Sequence, residues 1–189
     1  IDASPVSYFE FQQSVVDTAK YISEGHTVIY EAAFQYEGIL AAIDILVQKK
    51  GKWYAYEVKS STGVKPPFIQ DAALQYYVIT HSGIPLKDIS IVHLNNEYVR
   101  YGALDVQQLF TTTSILEDVL ELQEFTETKI AELRKVLKLK AAPDISMDKH
   151  CHKPYDCDFL GHCSKEVEEE EPDYGEARID RKALKDFIN

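Results

Sequence analysis

The sequence predicts an α/β protein of the α+β kind, with a mixed central sheet that contains a three-stranded antiparallel meander and is flanked by helices. Residues 40–47 and 53–60 alternate in polarity and are rich in Ile, Val and Tyr, a pattern typical of half-buried strands, and residues 27–36 form a third strand-like segment. The two connections between these segments are short and contain glycine, as hairpin turns do. A helical segment and then another strand-like segment follow them.

The other elements are predicted from periodicity and from start and stop residues. They are a helix over residues 8–23 with an apolar stripe that includes Phe9, a helix over 66–83, a strand over 89–94, a short strand or loop over 109–115, and one long amphipathic helix over 116–139. Pro66-Pro67 and Gly83 are typical start and stop signals for the second helix. Residues 166–172 form an acidic run typical of a solvated linker, and residues 179–189 predict a terminal helix or the start of a following domain.

The second hairpin brings two acidic residues and a lysine to one face. If Lys50-Gly51 is the turn, Asp44 lies opposite Glu57, and Lys59 lies two residues along on the same face. Opposed carboxylates repel each other, whereas Mg²⁺ or Mn²⁺ would turn that repulsion into chelation by hard oxygen ligands. A lysine beside such an ion could orient or deprotonate a water, or stabilise developing negative charge. The alternative is a solvent-facing pair of carboxylates with Lys59 as an ordinary salt-bridge partner.

Glu31 is expected to extend this acidic row. With Glu37-Gly38 as the first turn, Glu31 lies opposite Asp44, so that Glu31, Asp44 and Glu57 stand side by side on three strands. Each like-charged neighbour disfavours ionisation, so the row would be hard to sustain without a cation. We therefore expect Glu31 to contribute to the metal site directly or through a water. A β-bulge would instead turn one of these side chains to the opposite face.

The pattern Asp44…Glu57-Val58-Lys59 resembles the signature of the PD-(D/E)XK nuclease superfamily. The resemblance implies a restriction-endonuclease-like core and metal-dependent hydrolysis of phosphodiester bonds. It implies that Asp44 and Glu57 bind Mg²⁺ or Mn²⁺ by their carboxylates and Val58 by its backbone carbonyl. Lys59 would be catalytic and orient the attacking water.

The helix after this motif carries a glutamine followed by tyrosines. Gln75 resembles the glutamine of the Gln-x-x-x-Tyr motif in the RecB-like exonuclease branch, although position 79 is Ile and the nearby tyrosines are Tyr76 and Tyr77. The resemblance implies catalytic roles for Gln75 and Tyr77. The alternative is that Gln75 lies at the edge of the core and that the tyrosines only pack.

Three cysteines lie close together near the end of the chain. Cys151, Cys157 and Cys163, with histidines among them, resemble the cysteine segment of AddB-type and CRISPR-associated RecB-like nucleases. In those proteins three such cysteines and one preceding cysteine hold a [4Fe–4S] cluster. No cysteine precedes Cys151 here, so the resemblance implies a cluster in the intact protein only. A zinc site with three cysteines and one histidine is the runner-up, and free thiols are a third possibility.

The domain organisation predicted from these features is a nuclease-like domain over residues 1–164, including the cysteines, and an acidic linker with the start of a following segment over 165–189. Residues 56–61 and 93–102 also resemble an uncharacterised bacterial family in which such a nuclease domain precedes a domain of unknown function. The chain begins with Ile1 rather than Met, so we expect a fragment of a longer protein.

Composition limits the choice of function. The formal net charge is −11, which disfavours nucleic-acid binding, because proteins that bind duplexes usually carry a basic surface. No apolar run approaches the roughly 18 residues of a membrane span, and unpaired cysteines fit a reducing cytoplasm. Two functions therefore remain: a nuclease that acts on DNA more readily than on RNA, in an exonuclease-like manner, or a degenerate nuclease-fold module for nucleic-acid binding or scaffolding.

Overall fold

A five-stranded mixed sheet organises the first part of the chain in the computed structural model, which describes residues 1–7 and 10–164. The strands are β1 (Val28–Tyr36), β2 (Ile39–Lys49), β3 (Lys52–Lys59), β4 (Leu86–Leu94) and β5 (Phe110–Ser114). They lie in the order β1-β2-β3-β4-β5, with β3 and β4 parallel and every other neighbouring pair antiparallel. The predicted mixed sheet with its antiparallel meander is confirmed, and the arrangement is consistent with a restriction-endonuclease-like core.

Helices flank this sheet, as expected for an α+β protein. They are α1 (Phe11–Ser23), α2 (Pro66–His81), α3 (Val106–Leu109), α4 (Leu116–Glu121) and α5 (Gln123–Val136). Helix α2 connects the parallel strands β3 and β4, packs on the sheet, and also contacts α4 and α5. Its buried face and the sheet share one apolar core, which includes Ile43, Leu46, Ala55, Ala72, Val78, Ile79, Ile89 and Ile91.

The chain divides into two compact units, Ile1–Ala142 and Pro143–Asn189, and the second is described as far as residue 164. In the second unit, a short 3₁₀ helix (Lys149–Cys151) and α6 (Leu160–Cys163) carry the cysteine segment. The predicted boundary between residues 164 and 165 coincides with the limit of the described residues and stays a prediction. Phe9, the acidic run and the helix predicted over 179–189 lie outside the described residues. None of the described helices is long and apolar enough to cross a membrane.

The long helix predicted over 116–139 is wrong, because the segment forms two helices that meet at Leu122. Side chains compete there for main-chain carbonyls. The Nε2 of Gln123 donates to the carbonyls of Val119 at 2.9 Å and Ala73 at 3.2 Å, and the hydroxyl of Thr126 donates to that of Leu122 at 2.9 Å. Such bonds bend helices because a side chain inserts into the hydrogen-bond ladder.

A further strand-like segment was not predicted. Residues 1–3 run parallel to β1: Tyr30 N–H donates to the carbonyl of Ile1 at 2.8 Å, and Ala3 N–H donates to that of Tyr30 at 2.9 Å. Three residues are too few to show a period of two, so the pattern in the sequence could not indicate this pairing.

Both hairpin turns adopt the predicted two-residue geometry. Glu37 and Gly38 have φ values of +47° and +79°, and Lys50 and Gly51 have φ values of +51° and +74°. Positive φ at both central residues is what a type I′ turn requires, and it matches the twist of the strands on either side. The turns therefore hold β1, β2 and β3 in the predicted register near each hairpin end.

Replacing Gly51 by alanine should lower the free energy of unfolding by about 1 kcal/mol, because the left-handed region disfavours any residue with a Cβ. A Cβ at Gly51 would meet no atom within 4 Å, so the cost is purely conformational. Gly63→Ala is the matched control, because a Cβ there is equally unhindered and its φ lies outside the left-handed region. Urea unfolding of both variants measures the difference, and equal losses would contradict this account of the turn.

Candidate functional site

The carboxylates predicted to form a row lie where sheet pairing is interrupted. Pairing of β1 with β2 follows the predicted register on either side of Glu31, yet Glu31 and Asp44 are not themselves a paired position of the ladder. Glu31 has a φ of +52°, which is unusual inside a strand and costs a non-glycine residue about 1 kcal/mol or more. The irregularity lies directly opposite Asp44.

A second interruption lies on the other side of Asp44. The β2–β3 ladder keeps the predicted register as far as Ile45–Tyr56 and ends there, one position before Asp44 and Glu57. Beyond this point, Asp44 Oδ2 accepts a hydrogen bond of 2.5 Å from the backbone N–H of Val58. Strand β3 continues as the parallel partner of β4. The Asp44 carboxylate thus replaces a main-chain bond at the place where β2 and β3 part.

Glu57 is a buried carboxylate, with 7% of its surface exposed. Its Oε1 accepts a hydrogen bond from Lys59 Nζ at 2.8 Å, and its Oε2 accepts one from Gln75 Nε2 at 2.9 Å. Burial raises the pKa of Glu57 and the charge of Asp44 adds to this, while the bonds from Lys59 and Gln75 act in the opposite direction. Its ionised form is therefore sustained by those two donors, and a cation would sustain it further.

Lys59 lies between two carboxylates. Its Nζ donates to Glu57 Oε1 and to Asp71 Oδ2, each at 2.8 Å, and lies 5.5 Å from the ring centroid of Phe68. Burial lowers the pKa of Lys59, but the hydrogen bonds to Asp71 and Glu57 outweigh this and hold the pKa well above the usual lysine value. Lys59 is therefore a fixed cation that suits orienting a water or stabilising negative charge. It does not suit accepting a proton from water.

Gln75 lies beside the buried carboxylate, where the sequence suggested a site residue. Its Nε2 bridges Glu57 Oε2 and the carbonyl of Ala42, at 2.9 and 3.0 Å, and 7% of the residue is exposed. Its Oε1 is buried and has no hydrogen-bond partner within the described part of the chain. The carbonyl of Ala42 and the Oε2 of Glu57 both accept from Nε2, and they therefore set the orientation of the Gln75 amide. The Oε1 of Gln75 is thus an unused acceptor next to Glu57.

Sequence reasoning missed Asp71, which lies one helical turn before Gln75 on α2. The spacing of four residues places both on one face of the helix, so this periodicity was the available signal. Asp71 and Gln75 reach different groups of the same cluster, namely Lys59 and Glu57.

The structure places Tyr77 among aromatic rings on α2, and its catalytic role stays a prediction. Its ring centroid lies 4.1 Å from that of His81 and 5.9 Å from that of Tyr36. Two residues along an α-helix correspond to a rotation of about 200°, so Tyr77 cannot share the face of Gln75. Tyr77 is a buried packing residue.

Glu31 is electrostatically linked to Asp44. Burial raises the pKa of Glu31, and the charges of Asp44 and then Asp2 raise it further. The charge of Asp44 thus raises the pKa of both Glu31 and Glu57. The role of Glu31 as a metal ligand stays a prediction.

The donor set fits a hard divalent cation. Among residues 1–7 and 10–164, no three or more Asp, Glu, His and Cys side chains converge into a ready-made metal site. Mg²⁺, however, commonly uses only one or two carboxylates and retains several waters. Asp44 and Glu57 supply two carboxylates, and the hydrogen bond from Val58 N–H engages one oxygen of Asp44. The Val58 carbonyl as a ligand stays a prediction.

The three cysteines do not form a complete metal site among the residues that the structure describes. Cys151 is buried, Cys157 and Cys163 are exposed, and all three are free thiols. The backbone N–H of Cys157 donates to the carbonyl of Cys151 at 2.8 Å, which places these two residues near each other through the main chain. Their thiols and the nearby histidines do not form a group of three potential ligands within the described residues.

No family model matches the chain, and no curated protein matches it. Among solved structures, the chain is similar to an alkaline exonuclease from Laribacter hongkongensis, with a TM-score of 0.33 and 17% identity over 67% of this chain and 70% of that one. Assignment to the RecB-like branch therefore has no support from a sequence relative.

Proposed function

We propose that this chain is a metal-dependent nuclease that hydrolyses phosphodiester bonds, those of DNA rather than RNA, in an exonuclease-like manner. The observation that carries the proposal is the buried Glu57, bonded to Lys59 and Gln75 beside a second carboxylate, Asp44. Burying a carboxylate is costly unless it is paired, and a purely structural position would favour an apolar residue, such as the Ala55 that precedes it on the same face of β3. Perturbed carboxylates of this kind are typical of functional sites.

The roles follow from where the groups lie. Asp44 and Glu57 would hold Mg²⁺ or Mn²⁺, with the Val58 carbonyl as a further ligand and Glu31 reaching the ion directly or through a water. The chemistry supplied by such an ion is activation of water and neutralisation of charge on the phosphate. Gln75 fixes the orientation of Glu57, because its Nε2 donates a hydrogen bond to the Oε2 of Glu57.

Lys59 is assigned to the attacking water and to the negative charge that develops on the phosphate. Two of the three N–H donors of Lys59 are used by Glu57 and Asp71. The third N–H is available to a ligand, and its direction is set by the other two hydrogen bonds. A preorganised cation of this kind stabilises a transition state without reorganisation during the reaction.

A second candidate function is a catalytically degenerate module of the same fold, used for nucleic-acid binding or scaffolding. The two carboxylates that already engage Lys59 favour a degenerate site, and the net charge of −11, which disfavours nucleic-acid binding, favours scaffolding as the role of such a module. For either function, we propose that the protein acts in the cytoplasm and that a further domain of the same chain follows.

Incubation with end-labelled single- and double-stranded DNA and with RNA tests the proposal. We expect shortened DNA products with Mg²⁺ or Mn²⁺ and none with chelator. Binding without cleavage under all metal conditions would favour the module, and cleavage that persists in chelator would contradict metal dependence.

For the cysteines, we propose a [4Fe–4S] cluster in the intact protein, with zinc as the runner-up. A chain extended toward its N-terminus and purified without oxygen should be brown, because cysteine-ligated iron–sulfur centres absorb visible light, whereas the present chain should be colourless. Metal analysis and the visible spectrum of both proteins provide the measurement. A colourless extended protein with stoichiometric zinc would contradict the cluster.

A further inference from the structure

Asp71 is an acidic residue beside the proposed site that has no part in the assigned ligand set. Its Oδ2 lies 2.8 Å from Lys59 Nζ, and its side chain is 47% exposed, compared with 9% for that of Glu57. We propose that Asp71 is a positioning residue that keeps the Lys59 ammonium in place while Glu57 is engaged with a cation. This inference rests on the proposed nuclease function.

Lys59 and a bound cation would compete for the Glu57 carboxylate. Lys59 and a cation held by Glu57 are both positively charged, and both would draw on the same carboxylate. The contact between Lys59 and Glu57 must therefore weaken when a cation binds. Asp71 reaches Lys59 from α2 and is not one of the proposed ligands, so its hold on the ammonium would persist.

The neighbours of Lys59 show what would happen without Asp71. Within residues 1–7 and 10–164, the Phe68 ring, 5.5 Å from Nζ, is the other recorded neighbour of this ammonium once Glu57 is shared with a cation. An aromatic face attracts a cation but fixes it in no single direction, whereas a hydrogen bond to a carboxylate is directional. Asp71 is therefore the group that gives Lys59 a defined geometry in the cation-bound state.

Stability alone does not account for this ion pair. The side chain of Asp71 is about half exposed, and exposed ion pairs contribute little to folding because solvent screens them. Its effect is expected in the reaction instead.

Asp71→Asn tests the proposal at saturating Mn²⁺. We expect kcat to fall about 10- to 100-fold, the scale of effect of misplacing a catalytic group by about 1 Å, with KM nearly unchanged. In a Lys59→Ala background, the same substitution should have no further effect, because residues that act through one another are not additive. Asp71→Glu, which keeps the carboxylate, should retain much of the activity. Asp17→Asn, which changes a helix carboxylate that accepts a hydrogen bond from Gln13, is the control.

A purely structural role for Asp71 predicts a different result, namely an equal loss in the wild-type and Lys59→Ala backgrounds. That result, or an unchanged kcat in Asp71→Asn, would overturn the inference.

A second measurement does not depend on activity. Acetylation of Lys59 by an amine-reactive ester, followed by mass spectrometry, should be several-fold faster in Asp71→Asn than in the wild type, with exposed Lys129 as the internal standard. If the wild type cleaves no nucleic acid, the proposed function fails, and the labelling alone decides whether Asp71 positions Lys59. An unchanged labelling rate would overturn that positioning.

Discussion

Lys59→Ala should lower kcat for phosphodiester cleavage by about 10²- to 10³-fold, the effect of removing one preorganised charge-stabilising donor. Affinity for Mn²⁺ should stay largely intact, since Lys59 is not a ligand. Asp44→Ala should abolish both cleavage and metal binding, because it removes one of the two proposed carboxylate ligands. Initial rates on labelled DNA and Mn²⁺ titration by electron paramagnetic resonance give the two readouts.

The design must separate catalysis from folding. Removing Lys59 leaves Glu57 buried without its countercharge, and breaking a buried pair in this way costs about 3–5 kcal/mol unless the remaining group becomes neutral. Circular dichroism at the assay temperature shows whether the variant is folded. Lys129→Ala, which removes an exposed lysine paired with Glu132, is the matched control and should be fully active. Cleavage that persists in Lys59→Ala or Asp44→Ala would end the proposed mechanism.

The elements that were predictable from sequence are those with a local cause. Alternation with a period of two marked the strands, and the glycine-containing turns at Gly38 and Gly51 set the register of two hairpins. Pro66-Pro67 and Gly83 marked the ends of α2, which spans Pro66–His81. These signals lie within a few residues of what they determine.

The interruptions at Asp44 have no local cause that the sequence displays. The pairing of β2 with β3 ends where β3 continues beside β4, and there each residue of β3 pairs with one 34 positions later in the chain, as Glu57 does with Ile91. The positive φ of Glu31 is another outcome of tertiary structure, because glutamate has no preference for that region. The register counted from the turns thus predicted which strands are neighbours, but it did not predict that the ladders are interrupted at Glu31, Asp44 and Glu57.

Helical geometry explains why the residues of α2 near Lys59 and Glu57 differ from those that the motif indicated. Motif resemblance pointed to Tyr77, whereas the rotation per residue places Asp71 and Gln75 on the face that meets β3. The bond between Lys59 and Asp71 could have been anticipated from that spacing, but only once the side of α2 that covers the sheet was known.

Mn²⁺ should stabilise the wild-type protein against unfolding, by about 2.7 kcal/mol at a free concentration one hundred times its Kd. The reason is that burial and the charge of Asp44 raise the pKa of both Glu31 and Glu57, and a bound cation offsets these unfavourable terms. Thermal or urea unfolding with and without Mn²⁺, at constant ionic strength, measures the gain.

Asp44→Asn should abolish most of this gain without unfolding the protein. An asparagine oxygen can still accept the hydrogen bond from Val58 N–H, while the charge that disfavours ionisation of Glu31 and Glu57 disappears. The metal-free variant should therefore be at least as stable as the metal-free wild type. A protein with a net charge of −11 also attracts divalent ions nonspecifically, so Asp118→Asn on the exposed surface of α4 is the control and should keep the full Mn²⁺ effect. Equal Mn²⁺ effects in Asp44→Asn and Asp118→Asn would show that the ion acts on overall charge and not at Asp44.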